Sequence, residues 1–318
     1  MPTFYIKHIT EYNYSDSVYD AASQMMLHPI QDEYQNIPSH TLSITNNPTI
    51  ETRKDFYGNT VGTFMIIEPH NQLSIISEVE AVTFEKALPE DQAPLEQQWD
   101  TYKQLKYSPL FMDFLNHKPF DGTHEISNLI DSHDLRRLTP FKATMALCDY
   151  VFNNFKYIQG ITNVDSNLND IWTLKAGVCQ DFTILLIQLV RMLDIPARYV
   201  SGYICPNDDN SRGEGATHAW VEVYIPFYGW LGLDPTNNII ANQYHVRLAV
   251  GRNFKDCTPV KGVYSGQSEE DLFVKVEINT TKSIGNNKSY PSNEGEHVTH
   301  RNSYRQSLQN IPNQQQQQ

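Results

Sequence analysis

The spacing of apolar residues changes near residue 90, and this change constrains the fold more than any other feature of the chain. Before it, as in "FYIKHITEYNYS", apolar and polar residues alternate, and β-branched runs are cut by Asn-Pro, Tyr-Gly-Asn and Pro-His-Asn turn signals. This pattern is typical of short strands joined by turns. We therefore predict a β-sandwich domain over residues 1–90. The proline- and acid-rich segment "EKALPEDQAP" predicts a linker to the next domain.

Helical spacing dominates after residue 95. In the stretch "VCQDFTILLIQLVRML" one helical stripe is formed by Phe182, Leu185, Leu186, Leu189 and Leu193, and Pro196 ends the helix. Strand-like segments follow: "ARYVSGYIC", "HAWVEVYIP", "GWLGLDPT" and finally "DLFVKVEI", which is predicted to return to an earlier sheet. The fold class predicted is α+β, with a second domain over residues 95–279. Residues 280–318 are polar, end in five glutamines and are predicted to be a disordered tail.

Composition excludes several classes of partner. The formal net charge of −13 disfavours binding to nucleic acid or to anionic membranes. No apolar run is long enough for a signal peptide or a membrane span, and the four cysteines form no CxxC pair, so we expect a reducing, cytoplasmic setting. There is no HExxH, P-loop or GxGxxG motif, and we therefore predict no cofactor and no metal. The sequence leaves the oligomeric state open.

Three residues form a candidate catalytic set. Cys179 lies at the predicted start of a helix, where unpaired backbone N–H groups and the helix dipole favour a negatively charged sulfur. His218 begins one strand and Asp234 ends the next, so two adjacent antiparallel strands bring them side by side. Nucleophilic catalysis by cysteine needs a thiol as the nucleophile, a general base and a carboxylate that orients the base. Cys179, His218 and Asp234 can fill these three roles.

Each candidate also has an ordinary interpretation, since a lone cysteine is usually core and a lone aspartate before Pro-Thr usually forms a turn. Trp172 is predicted to help hold an oxyanion or line the cleft, or else to pack in the core. Trp220 is predicted to shield His218 or line the acyl site, because it follows that residue on the same strand face. Asp181 is expected to make a structural or capping hydrogen bond. Cys148 is expected to be buried, and Cys205 partly exposed.

The segments "GVCQDF", "IPARYVSGY", "HAWVEVYIP", "GWLGLDPTNN" and "VRLAVGRNF" resemble the bacterial transglutaminase-like cysteine protease family, and "DFYGNTVGTFMIIEPHNQLSI" resembles its N-terminal β-rich domain. The resemblance implies a papain-like core in which Cys179 is the nucleophile, His218 the base and Asp234 the orienting residue. It implies acyl transfer through a thioester on a peptide or protein substrate. We expect hydrolysis of peptide or isopeptide bonds, with Gln–Lys cross-linking by a transglutaminase, or a non-catalytic binding protein, as alternatives.

Overall fold

The computed structural model describes residues 1–162, 166–205, 217–281 and, for the backbone, 296–300. The strands are β1 Thr3–His28, β2 Gln35–Ile44, β3 Glu51–Lys54, β4 Thr60–Ile66, β5 His70–Thr83, β6 Lys156–Tyr157, β7 Ala176–Gly177, β8 Ala197–Ile204, β9 Thr217–Ile225, β10 Gly229–Asp234, β11 Ile239–Ile240, β12 His245–Gly251, β13 Val260–Ser265, β14 Glu270–Asn279 and β15 Glu296–His300. The helices are α1 Leu95–Leu105, α2 Pro109–Leu115, α3 Thr123–Ser132, α4 Pro140–Asn154, α5 Leu168–Leu174 and α6 Cys179–Arg191.

The long strand β1 organises the N-terminal unit, because its two halves belong to two sheets. Residues 3–14 pair with β5 on one edge and with β14 on the other. Residues 19–28 pair with β4 on one edge and with β13 on the other. Irregular pairing between residues 13 and 18 separates the halves, which is how one strand leaves one sheet and enters another. The fold class predicted, with a β-rich unit before an α+β core, is confirmed.

The two sheets of this unit face each other. Ser77 of β5 donates a hydrogen bond to the carbonyl oxygen of Leu27 in the other half of β1, at 3.5 Å. The ring centroids of His28 and His40 lie 4.7 Å apart, with the planes nearly perpendicular. Since β1 runs through both layers, they form one curled sheet, whereas the sandwich that we predicted has two independent sheets.

The unit boundaries also differ from the predicted domains. Compact unit 1 contains residues 1–83 and 258 onward, and unit 2 contains residues 84–257. The segment after residue 257, which we assigned to the second domain, belongs to unit 1 because β13 and β14 pair with β1. Strand β15 pairs with the free edge of β14 although we predicted disorder there, because an open edge offers unpaired backbone groups whatever the side chains. The rest of the predicted tail after residue 281 lies outside the described residues.

Unit 2 is built on a five-stranded antiparallel sheet in the order β11–β10–β9–β8–β12. Helix α6 packs against β8, β9 and α4, and it carries the apolar stripe expected from the sequence. The stripe is fully buried: Phe182, Leu185, Leu186, Leu189 and Leu193 are each 0% exposed. Helix α4 begins at Pro140, and the Thr139 side chain caps it by accepting a hydrogen bond from the backbone N–H of Lys142.

A buried ion cluster joins three strands of this sheet. Glu222 of β9 lies 2.6 Å from Arg198 of β8 and 3.6 Å from Arg247 of β12. The guanidinium of Arg198 also lies over the ring of Trp230, 4.1 Å from its centroid. Burial alone would raise the pKa of Glu222, but the two arginines hold it below its usual value. The cluster therefore keeps a charged carboxylate inside the sheet.

Acidification is expected to destabilise unit 1 through His8, which is 1% exposed. Burial lowers the pKa of His8 from 6.5 to about 4. On acidification the unfolded chain binds this proton first, so the free energy of unfolding falls between pH 6.5 and pH 4, by about 3 kcal/mol for this one group. Urea unfolding at several pH values should show a weaker pH dependence for His8→Gln than for wild type, with the exposed His133→Gln as control. An identical pH dependence in His8→Gln and wild type would contradict this prediction.

Within the described residues, no helix is both long enough and apolar enough to cross a membrane.

Candidate active site

The N-terminus of α6 is held by Asp181. Its carboxylate accepts hydrogen bonds from the backbone N–H of Val178, at 2.8 Å, and from the hydroxyl of Thr162, at 2.6 Å. The first of these is the capping bond that the sequence predicted. Cys179 is the first residue of the helix, and Thr183 one turn later donates a hydrogen bond to its carbonyl oxygen at 2.7 Å. The cysteine therefore sits on a fixed helix end.

Gly177 makes this arrangement possible, and replacing it by alanine is expected to loosen it. A Cβ at this position would lie 2.5 Å from Oδ2 and 2.6 Å from Cβ of Asp181, and the Asp181 Cβ cannot move away without moving α6. We expect Gly177→Ala to lower the free energy of unfolding by about 1–3 kcal/mol. Thermal unfolding measures the loss directly. A melting temperature equal to that of wild type would mean that the helix end shifts without cost.

The side chains of His218 and Asp234 are paired across the neighbouring antiparallel strands β9 and β10. Nε2 of His218 lies 2.8 Å from Oδ2 of Asp234, and both side chains are fully buried. Burial alone would lower the pKa of His218, but the Asp234 carboxylate and the nearby Cys179 thiol outweigh burial and raise it. The same pairing holds the pKa of Asp234 well below its usual value despite burial. The pairing therefore keeps Asp234 as a carboxylate and favours the protonated form of His218, the form that His218 takes when it holds the proton of Cys179.

The second nitrogen of His218 faces Cys179. Nδ1 is buried and has no hydrogen-bond partner among the described residues, while the Cys179 side chain is close enough to raise the pKa of the ring. A proton can thus move between the sulfur and the imidazole while Nε2 stays bound to Asp234. This is the geometry that activates a thiol as a nucleophile.

The four cysteines, all within the described residues, differ in access to solvent. Cys179 is partly exposed, whereas Cys148, Cys205 and Cys257 are buried. The expected partial exposure of Cys205 was wrong, because its backbone N–H bonds the carbonyl oxygen of Tyr244 and its side chain is fully covered. Burial raises the pKa of Cys148, and the nearby Asp234 carboxylate adds to this effect. An accessible thiol beside an imidazole is found at Cys179.

Asp234 has further partners that the sequence analysis missed. Its Oδ1 accepts from the backbone N–H of Thr236 at 2.9 Å, and its Oδ2 accepts from the side-chain amide of Asn237 at 2.8 Å. A second histidine, His245 at the start of β12, places Nε2 3.5 Å from the same Oδ2. The "DPTNN" turn could have suggested the first two partners, since such turns fold back on their aspartate. Finding His245 requires the strand order.

Trp220 lies against both histidines. Its ring stacks with His218 at a centroid distance of 6.2 Å and meets His245 edge-on at 5.1 Å. The ring is 1% exposed, which fits a shielding role for Trp220 rather than an open acyl site.

Trp172 lies in an aromatic cluster. Phe120 and Phe155 pack on it at centroid distances of 5.3 and 5.7 Å, and Nζ of Lys175 lies 3.0 Å from the ring centroid. These contacts favour the core-packing alternative for Trp172. Within the described part of the chain, no three His, Cys, Asp or Glu side chains are grouped so that they could hold a metal ion.

Comparison with known proteins decides the family. Residues 131–235, which include all three candidate residues, match the transglutaminase-like superfamily. Residues 4–82 match the bacterial transglutaminase-like N-terminal region. The chain belongs to the transglutaminase-like superfamily. The resemblance inferred from the sequence is thereby confirmed.

Individual proteins are similar to the chain over different spans. An uncharacterized protein of Mycobacterium tuberculosis is 30% identical over 287 residues, which is 86% of this chain and 91% of that protein. A protein-glutamine gamma-glutamyltransferase of Pseudomonas aeruginosa is 34% identical over 86 residues, 25% of this chain and 12% of that protein. A solved structure of a candidate cysteine protease from Cytophaga hutchinsonii is similar over 94% of this chain and 98% of that chain. The TM-score is 0.68 and the sequence identity is 23%. That last likeness concerns the fold.

Proposed function

We propose that the protein is a cysteine-dependent acyl-transfer enzyme that hydrolyses peptide or isopeptide amide bonds. The observation that carries the proposal is the buried His218–Asp234 pair, whose remaining ring nitrogen faces the partly exposed Cys179 at a helix N-terminus. Membership of the transglutaminase-like superfamily supports the same chemistry. The substrate class is a peptide or protein amide.

In the proposed reaction Cys179 gives its proton to His218, and the thiolate attacks the amide carbonyl carbon to form a C–S bond. The first backbone N–H groups of α6 stand at the same helix end and can donate to the developing oxyanion. The C–N bond then breaks, and His218 gives its proton to the leaving amine. Water attacks the thioester with His218 as base, which releases the carboxylic acid and restores the thiol. Asp234 keeps Nε2 of His218 occupied throughout, so that the proton moves on Nδ1.

Transfer to an amine is the second candidate, in which a lysine side chain replaces water in the last step. The similarity of 86 residues to a protein-glutamine gamma-glutamyltransferase favours this alternative. The two reactions share Cys179 and differ in what resolves the thioester.

A panel of fluorogenic peptide and isopeptide amides, assayed with and without a fluorescent primary amine, tests the proposal. We expect amide cleavage by wild type and none by Cys179→Ser. Incorporation of the amine in place of cleavage would establish transfer. Absence of both reactions, with Cys179 still reactive toward alkylating agents, would leave the non-catalytic binding protein as the explanation.

A further inference from the structure

His245 is a buried histidine that the proposed reaction does not use. It is the first residue of β12, 6% exposed, on a strand that is not a neighbour of the strand carrying Asp234. Its side chain nevertheless reaches Oδ2 of Asp234, the oxygen that also binds His218. Two histidines from different strands thus converge on one carboxylate oxygen.

The hydrogen bonding of His245 indicates which nitrogen carries the proton. Nδ1 accepts a hydrogen bond from the backbone N–H of Asn242 at 3.2 Å, and Oδ1 of Asn242 lies farther away, at 3.4 Å. The shorter contact favours a neutral ring with its proton on Nε2. Nε2 is buried and makes no hydrogen bond of ordinary geometry with the described residues, and Oδ2 of Asp234 lies 3.5 Å away. A buried donor needs an acceptor, and Asp234 is the acceptor within reach. Burial also lowers the pKa of His245, which keeps the ring neutral.

We propose that His245 is a positioning residue that donates its Nε2 proton to Asp234 and thereby limits how firmly Asp234 holds the His218 imidazolium. The inference rests on the proposed function, in which His218 must both accept and release a proton. Each hydrogen bond that the Asp234 carboxylate accepts reduces the ability of this carboxylate to stabilise the positive charge on His218. A carboxylate bound by His218 alone would keep the imidazolium charged to higher pH and make it a weaker acid toward the leaving amine.

Other titratable groups lie near Asp234 and His218 and also influence the pKa values of these two residues. Cys148 of α4 lies near Asp234, and Cys179 of α6 lies near His218. Tyr199 of β8, whose pKa burial raises, is close to Cys179 and to Asp181. The ring of Trp220 packs on both histidines and holds them in place. A substitution at position 245 leaves the chemical identity of these groups unchanged, and the flat ring of phenylalanine preserves an aromatic contact for Trp220.

The test compares His245→Phe, which keeps a flat ring but has no donor, with His245→Gln, whose amide restores one. The readout is the rate of Cys179 alkylation by iodoacetamide against pH in the full-length protein, which requires no amide substrate. In His245→Phe we expect the alkaline limb, where the imidazolium loses its proton, to move upward by roughly half a pH unit or more. His245→Gln should return it toward wild type. With an active amide substrate, kcat should fall in His245→Phe while KM stays unchanged.

Identical pH profiles for His245→Phe and wild type would overturn the inference. Such a result would not contradict the proposed function, provided that Cys179 of the wild-type protein reacts with iodoacetamide as expected. Nitrogen NMR of the histidine rings in wild-type protein provides a second measurement that does not depend on how the variants fold. We expect His245 to be neutral at pH 7, with its proton on Nε2. A charged ring, or a proton on Nδ1, would also overturn the inference.

Discussion

Iodoacetamide added in limiting amount at pH 6 is expected to alkylate Cys179 before the other three cysteines. Cys179 is the thiol with both solvent access and an imidazole beside it, whereas Cys148, Cys205 and Cys257 are buried. Alkylation should abolish acyl transfer, and Cys179→Ser should be inactive while folding normally, because a hydroxyl ionises far less readily than a thiol. Peptide mapping by mass spectrometry identifies the modified residue.

Removing the imidazole of His218 tests whether this ring activates Cys179. His218→Ala should slow alkylation of Cys179 by at least about tenfold, because the thiolate loses the cation that stabilises it. His133→Ala, at an exposed position remote in sequence from the three residues, serves as the control and should react like wild type. Labelling of Cys205 or Cys257 ahead of Cys179, with no effect of His218→Ala, would require the ion-pair mechanism to be abandoned.

Glu222→Ala is expected to be the most destabilising substitution considered. It leaves Arg198 and Arg247, each with a side chain 16% exposed, without their carboxylate partner inside the sheet. Removing one partner of a buried ion pair lowers the free energy of unfolding by about 3–5 kcal/mol. As a control, Asp100→Ala removes an exposed ion pair with Lys103 in the same unit and should unfold at the same urea concentration as wild type. Equal urea midpoints for Glu222→Ala and Asp100→Ala would contradict the prediction and would mean that water enters the Glu222 cluster freely.

The sequence predicted those parts of the site that depend on local pattern. The helix that begins at Cys179 follows from its apolar stripe, and the Asp181 cap follows from its position in the first turn. The approach of His218 to Asp234 follows from one hairpin, since β9 and β10 are consecutive antiparallel strands. Each of these inferences spans fewer than about twenty residues of chain.

Contacts that depend on strand order were not predictable in this way. His245 reaches Asp234 because β12 lies next to β8, and nothing in the residues around position 245 specifies that neighbour. The return of "DLFVKVEI" to an earlier sheet was predicted, but not that this sheet is the one built on β1, and for this reason the predicted second domain extends past the boundary at residue 257. The exposure of Cys205 was misjudged because its burial depends on tertiary contacts: the residue is 0% exposed, and its backbone N–H is bonded to Tyr244 on a separate segment.

The pairing of β1 with β13 and β14 has a consequence for biosynthesis. Strands β4 and β5, which pair with β1, follow it closely in the chain. Strand β14, which pairs with the other edge of residues 3–14, begins 242 residues after β1 ends (270 − 28). At a translation rate of about 5–20 residues per second, the ribosome needs roughly 12–50 seconds to supply that partner. During this interval the whole of unit 2 is synthesised and can fold, while the nascent β-sheet presents an open edge. Ribosome-associated chaperones are therefore expected to matter more for the N-terminal sheet than for unit 2.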